Sequence, residues 1–258
     1  MKLKYIVAAL GLVASAASQA ALVNPDALGN GELALVVYDA NASYTLDLGV
    51  TFNQFLAGAN TTNANLATLT SANWSAFTTA EGANSADWQY AVIGGKDNNG
   101  GNNAAILSTI DASFVGQVGA NYDSSAVQGG EGQIALSFYN NVNTTGTHKT
   151  LANGDSYNVS GTPAYYLNSS MDSFNGVLYQ NNGAVGTDLA VDLVARQQSG
   201  SAPAVETTLA GVMNLSQVGG NYVLSYNVAA VPEAPALPMA AAGLAMLSFL
   251  ALRRRNRG

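Results

Sequence analysis

The sequence predicts a mainly β protein: an antiparallel, β-sandwich-like body with minor helix, set between an N-terminal signal helix and a C-terminal transmembrane helix. Three observations predict it. Short runs rich in β-branched and aromatic residues recur along residues 21 to 230, Asn-Gly pairs punctuate them, and each end of the chain carries an uncharged apolar stretch beside cations.

Residues 1 to 20, MKLKYIVAALGLVASAASQA, place Lys2 and Lys4 before an apolar run that ends in small side chains, with Ser18 and Ala20 at the −3 and −1 positions of a cleavage site. Charge, grease and small residues in that order predict a Sec-type signal peptide cut by signal peptidase between Ala20 and Ala21. A short core helix fits less well, because nothing polar interrupts the run to give it a solvent face.

Between residues 21 and 230 the chain holds three basic residues (Lys96, Lys149, Arg196) against fifteen acids, a net charge of −12. Such a surface repels phosphate backbones and anionic headgroups, which argues against nucleic-acid binding and against peripheral membrane binding. Cysteine is absent, so thiol nucleophiles, thiolate metal sites and disulfides are excluded, and a body of this length needs no disulfide to build a core.

In chain order, Leu33 to Tyr38 and Tyr44 to Val50 form two runs joined at Asp39 to Ser43, the pattern of a hairpin. Further strands are expected at WQYAVIG (88–94), AAILSTI (104–110), QIALSFY (133–139), TDLAVDLVA (187–195), TTLAGVMNL (207–215) and NYVLSYNV (221–228). Asn99-Gly100, Asn153-Gly154, Asn175-Gly176 and Asn182-Gly183 predict tight turns with positive φ. Helix is expected at TFNQFLAG (51–58) and in part of 63–79.

Candidate chemistry in the body is sparse. His148, the one histidine, sits among small polar residues and reads as a solvated loop residue; no Gly-x-Ser-x-Gly elbow accompanies it, and one histidine is a poor basis for zinc. Asp188 and Asp192 share a strand face opposite Leu189, Val191 and Leu193, which suits a glycosidase carboxylate pair and suits equally an acidic solvent face over a buried stripe. Asp97 and Asn99, in KDNNGGNN (96–103), offer oxygen ligands for calcium, although the residue eleven after Asp97 is Ser108 and not the glutamate of an EF-hand. Tyr165-Tyr166, and Tyr38 with Tyr44, are candidates for a sugar-stacking platform, or else strand tyrosines with packed rings. Seven Asn-x-Ser/Thr sequons occur, and Asn41 alone has an acid two positions upstream, which marks it as the glycosylation candidate.

At the C-terminus, Ala236 to Leu252 make seventeen uncharged residues, about 25 Å of helix against a ~30 Å hydrocarbon core. Arg253, Arg254, Arg255 and Arg257 follow and hold that end in the cytoplasm. Val231, Pro232, Glu233, Ala234 and Pro235 precede the run, and prolines flanking an acid keep this entrance extended and accessible to a processing enzyme.

The Pro-Glu turn, single apolar helix and arginine cluster together resemble the PEP-CTERM sorting signal of Gram-negative bacteria, with the second proline displaced by one position. The resemblance implies that residues 231 to 258 are read by an exosortase, a membrane-embedded protease that cuts near the Pro-Glu motif. The opening GNGELALVVYDANASYTLDLGVTFNQFL (29–56) is similar to the start of a recurrent group of PEP-CTERM ectodomains. The expectation is therefore an exported, non-enzymatic surface or matrix protein. It is anchored in the inner membrane by its tail with its body in the periplasm, then released to the cell surface or beyond. By resemblance alone, exopolysaccharide and biofilm are its setting. The alternative is a secreted glycan-binding module or carboxylate-based glycan hydrolase, with or without calcium.

Overall fold

In the computed structural model, residues 21–25, 29–97, 104–117, 124–169, 180–197 and 202–228 are described. The signal peptide with Ala20, Asn99, the sorting residues Val231, Pro232, Glu233 and Pro235, the apolar run 236–252 and the four tail arginines lie outside them. No helix among the described residues is long and apolar enough to cross a membrane.

The strands are β1 (Glu32–Tyr38), β2 (Ala42–Thr51), β3 (Ala64–Leu69), β4 (Gln89–Lys96), β5 (Ala105–Ile110), β6 (Asp155–Val159), β7 (Gly183–Ala184), β8 (Asp188–Ala195), β9 (Val205–Val218) and β10 (Asn221–Val228). All pair antiparallel in one sheet of order β3-β10-β9-β8-β5-β4-β1-β2-β6, with the short β7 added beside β4. The mainly antiparallel β class expected from the sequence is present. The second, facing sheet of a sandwich does not occur among the described residues, because helices cover the sheet instead.

The sheet curls into an open half-barrel. Flat, at ~4.8 Å per strand, β10 and β2 would stand about 29 Å apart. Yet the Trp74 ring packs against Tyr222 of β10 at 5.3 Å and Tyr44 of β2 at 5.1 Å, so one indole spans the inside of the curl. Phe77 and Trp88 complete this aromatic centre, and Leu35, Val92, Leu107, Val191 and Met213 floor it.

Trp74 and Phe77 are carried by α2 (Ala72–Glu81), while α1 (Phe52–Gly58) adds Phe52 and Phe55 to the same core. The α1 start was legible in TFNQFLAG: Gln54 N donates to Thr51 Oγ1 and Thr51 N to Gln54 Oε1, a reciprocal capping box. The helix expected in part of 63–79 occupies the C-terminal portion of that stretch. Residues 64–69 pair with β10 as β3, and α2 begins only after Ser71, whose hydroxyl accepts from Trp74 N.

The outer face is covered by α3 (Ser124–Gly132), which runs on through Gln133–Tyr139 with π-helical bonding and Asn140–Val142. QIALSFY is thus helical and not the strand expected from its β-formers. Its buried residues are Ile134, Ala135, Phe138 and Tyr139, a one-face helical spacing, with Leu136 left exposed. A short apolar run fits either element, and packing on Ala34, Val36, Ile93 and Ile106 decides for helix. Because β1 is buried on both faces, ELALVVY reads as nearly continuous grease.

Turns follow the sequence in part. Asn153 has φ 56° ahead of Gly154, as expected, and Gly219-Gly220 (φ 59° and 89°) close the two-residue β9–β10 hairpin. Asn182-Gly183 is no such turn: Gly183 opens β7, and the positive φ falls on Gln180. Asn99-Gly100 and Asn175-Gly176 lie outside the described residues.

Candidate functional site

Buried acids concentrate what chemistry the body has, and three of them form distinct centres. Asp155, at the start of edge strand β6, is a hydrogen-bond hub. Its Oδ2 accepts from Tyr44 Oη (3.0 Å) and from Ser71 Oγ, and its Oδ1 accepts from Asn73 Nδ2 (2.9 Å) and Thr147 Oγ1 (2.7 Å). Burial works to raise this carboxyl, but donors from Ser71, Asn73, Thr147 and Tyr44 outweigh it and hold the group below the usual aspartate range.

His148 lies near this hub and is fully buried, contrary to the solvated loop position expected. The chain folds back there, with Thr147 N donating to Asp155 O and Asp155 N to Thr147 Oγ1, so the turn is pinned and its histidine turned inward. Neither ring nitrogen makes a well-formed hydrogen bond. Burial lowers the imidazole to about 4, against the opposing pull of the Asp155 charge and the Thr45 backbone. Ser71 bonds Asp155 and not His148, so these three residues do not form a nucleophile and base.

The second centre lies under the π-helical turn. Asp47 stands opposite Ala34 across a bulge in the β1–β2 pairing, which brings it to the outer face beside Glu32. Burial first, and then the Glu32 charge, push Asp47 up to about 7, and burial also raises Glu32. Two carboxyls in contact cannot both ionise cheaply, so the pair holds a proton between them. Val23 N donates to Glu32 Oε2 (2.8 Å), and Tyr139 Oη donates toward Glu32 O (2.6 Å) and Ile93 O (3.2 Å). A proton-sharing dyad suits acid–base work. Here the N-terminal segment lies against Glu32, which is half-buried, and Asp47 is 2% exposed.

Asp192 of β8 is the third. The sequence placed it with Asp188 on a solvent face. Asp188 is exposed and accepts from Asn214 Nδ2 (2.7 Å), whereas Asp192 is fully buried beneath the outer layer. Its neighbour is Glu206 of β9, not Asp188; burial and the contact with Glu206 push Asp192 up to about 7. Leu189 and Val191 are buried on the other face and Leu193 is half-buried there, as the alternation predicted.

The remaining candidates disperse. Tyr38, Tyr44, Tyr165 and Tyr166 are all buried, and no described aromatic is exposed, so these four rings pack within the fold and none offers an open face. Tyr165 Oη donates to Asp39 O, and the Tyr166 ring lies tilted at 45° to that of Tyr38, with centroids 4.8 Å apart. Asn41 is exposed in the β1–β2 turn, where Asp39 Oδ1 accepts from Asn41 N and Ala42 N. Its Nδ2 reaches Glu81 Oε2 at 3.3 Å. Asp97 directly follows β4, and no three His, Asp or Glu side chains converge as a metal centre among the described residues. Ala21 lies next to Leu22, which is buried and whose backbone is gripped by Asn143: Asn143 Oδ1 accepts from Leu22 N and its Nδ2 donates to Leu22 O.

The Asp155 hub was not legible in the sequence because Tyr44, Ser71 and Asn73 lie 111, 84 and 82 residues from it, and the Glu32–Asp47 contact was not because it depends on the bulge in the β1–β2 pairing. Comparison with protein-family models, with curated proteins and with solved structures found no match.

Proposed function

We propose that the chain is an exported surface or extracellular-matrix protein with a structural or interaction role, sorted by an exosortase-type system and not an enzyme. The observation that carries this reading is the C-terminal order of Pro232-Glu233 turn, uncharged run 236–252 and arginine stop, behind an N-terminal signal peptide. In this reading both apolar ends are helices, one removed at Ala20–Ala21 and one transiently spanning the inner membrane, and the body passes from periplasm to exterior among exopolysaccharide.

One feature of the body is in keeping with it. Asp155, Asp47 and His148 are almost wholly enclosed by their own fold, as structural ties are.

Intact mass of protein recovered outside the cells tests the sorting. Loss of the tail beyond the Pro-Glu motif is expected, and recovery of full-length arginine-bearing protein overturns it. In Pro232→Ala/Glu233→Ala, delivery to the exterior should fall; unchanged delivery would leave an ordinary tethered periplasmic protein.

A further inference from the structure

Asp192 is buried completely, and neither carboxylate oxygen makes a well-formed hydrogen bond. Ser108 stands directly opposite on β5, is equally buried, and its Oγ has no partner either. On the other flank, Thr208 of β9 pairs with Asp192, and its hydroxyl lies nearby. Glu206, two residues before Thr208 and so on the same face, brings its carboxyl up to that of Asp192. Three neighbouring strands therefore present oxygen atoms in one row, with a second carboxylate beside it.

An uncompensated buried carboxylate is destabilising by several kcal/mol in general. A proton shared with Glu206 answers the contact between the two acids and the Thr208 hydroxyl reaches Asp192, but the buried Ser108 hydroxyl is left unused. A hard cation uses them all. Access exists, since Thr208 is exposed and Glu206 half-buried at the rim of the outer layer. Gly116 N, at 2.7 Å from Glu206 Oε1, fixes that side chain in place, and the strongly acidic body draws cations toward it.

We propose that Asp192 and Glu206, with the hydroxyls of Ser108 and Thr208, bind one calcium ion at the outer rim of β5, β8 and β9. Two carboxylates and two neutral oxygens, completed by water, match the all-oxygen preference and loose geometry of calcium. The site is separate from the Asp97 loop and does not depend on how the chain is sorted.

The full chain, purified in detergent, is melted in EDTA and in excess CaCl2. With calcium at about a hundred times its dissociation constant, the midpoint should rise by roughly 5 to 10 °C. Asp192→Asn, which removes the charge at constant size, and Glu206→Gln should each abolish the rise, while Asp97→Asn should keep it. Absence of a calcium-dependent shift in the parent overturns the site. So does a shift that survives in both Asp192→Asn and Glu206→Gln, or one that disappears in Asp97→Asn instead.

Discussion

Ser71 Oγ caps α2 and donates to Asp155 of β6, so one hydroxyl fastens the helix leaving edge strand β3 to the edge strand at the opposite end of the sheet. With Trp74 wedged between β10 and β2, this belt holds the curl open at one width.

Removing the hub should therefore loosen the whole fold. Asp155→Ala strands the Tyr44, Ser71 and Thr147 hydroxyls together and is expected to lose about 3 kcal/mol by urea unfolding. Ser71→Ala loses one cap and one bond, about 1 to 2 kcal/mol. If both variants unfold at the parental urea concentration, the belt does not hold the curl.

Gly211 of β9 leaves no room for a side chain. A Cβ there would sit 2.4 Å from Tyr226 Cζ, and Tyr226 Oη is itself fixed between Gly211 N (3.0 Å) and Ala59 O (2.6 Å). Gly211→Ala is expected to destabilise by about 2 kcal/mol or more through overpacking, whereas Gly132→Ala, with open space around it, should be harmless in a thermal melt.

The Glu32–Asp47 proton gives the fold an acid preference. Asp47 is raised to about 7, so the folded state binds more protons than the unfolded chain. Its contribution is complete below the ordinary aspartate range and is lost as pH rises through 7. Asp47→Asn should flatten that decline: between pH 5 and pH 8 its melting midpoint should fall less than the parent's. Parallel profiles for the two proteins would show that the dyad holds no proton.

His148 pulls the other way. Its imidazole is lowered to about 4 by burial, so its contribution is present above the ordinary histidine range and lost as pH falls through 4. Because it is the one histidine, its ring protons are readable by NMR without mutation. They should stay at the neutral position at pH 5.5, and titration near pH 6.5 would place the ring in water.

Much of the β class was readable because it is local. Runs rich in apolar and β-forming residues at 33–38, 44–50, 88–94, 104–110, 187–195, 207–215 and 221–228 all became strands, and TFNQFLAG became α1. Strand β6, DSYNV, was not readable: it is mostly polar, its Asp155 forms the hub with partners 84 and 82 residues away in Ser71 and Asn73, and its Asn158 bonds Ser156.

By itself the sequence determined the acidic, cysteine-free body, its antiparallel character and the charge order at both ends, since periodicity, turn chemistry and charge act between near neighbours. Tertiary structure alone decided that QIALSFY would coil, that His148 and Asp192 would be enclosed, and that Trp74 would bridge the curl. A short apolar run gains similar transfer energy in a helix or a strand, and an acid's burial depends on what is laid over it. Those choices belong to contacts between residues the chain keeps far apart until it folds.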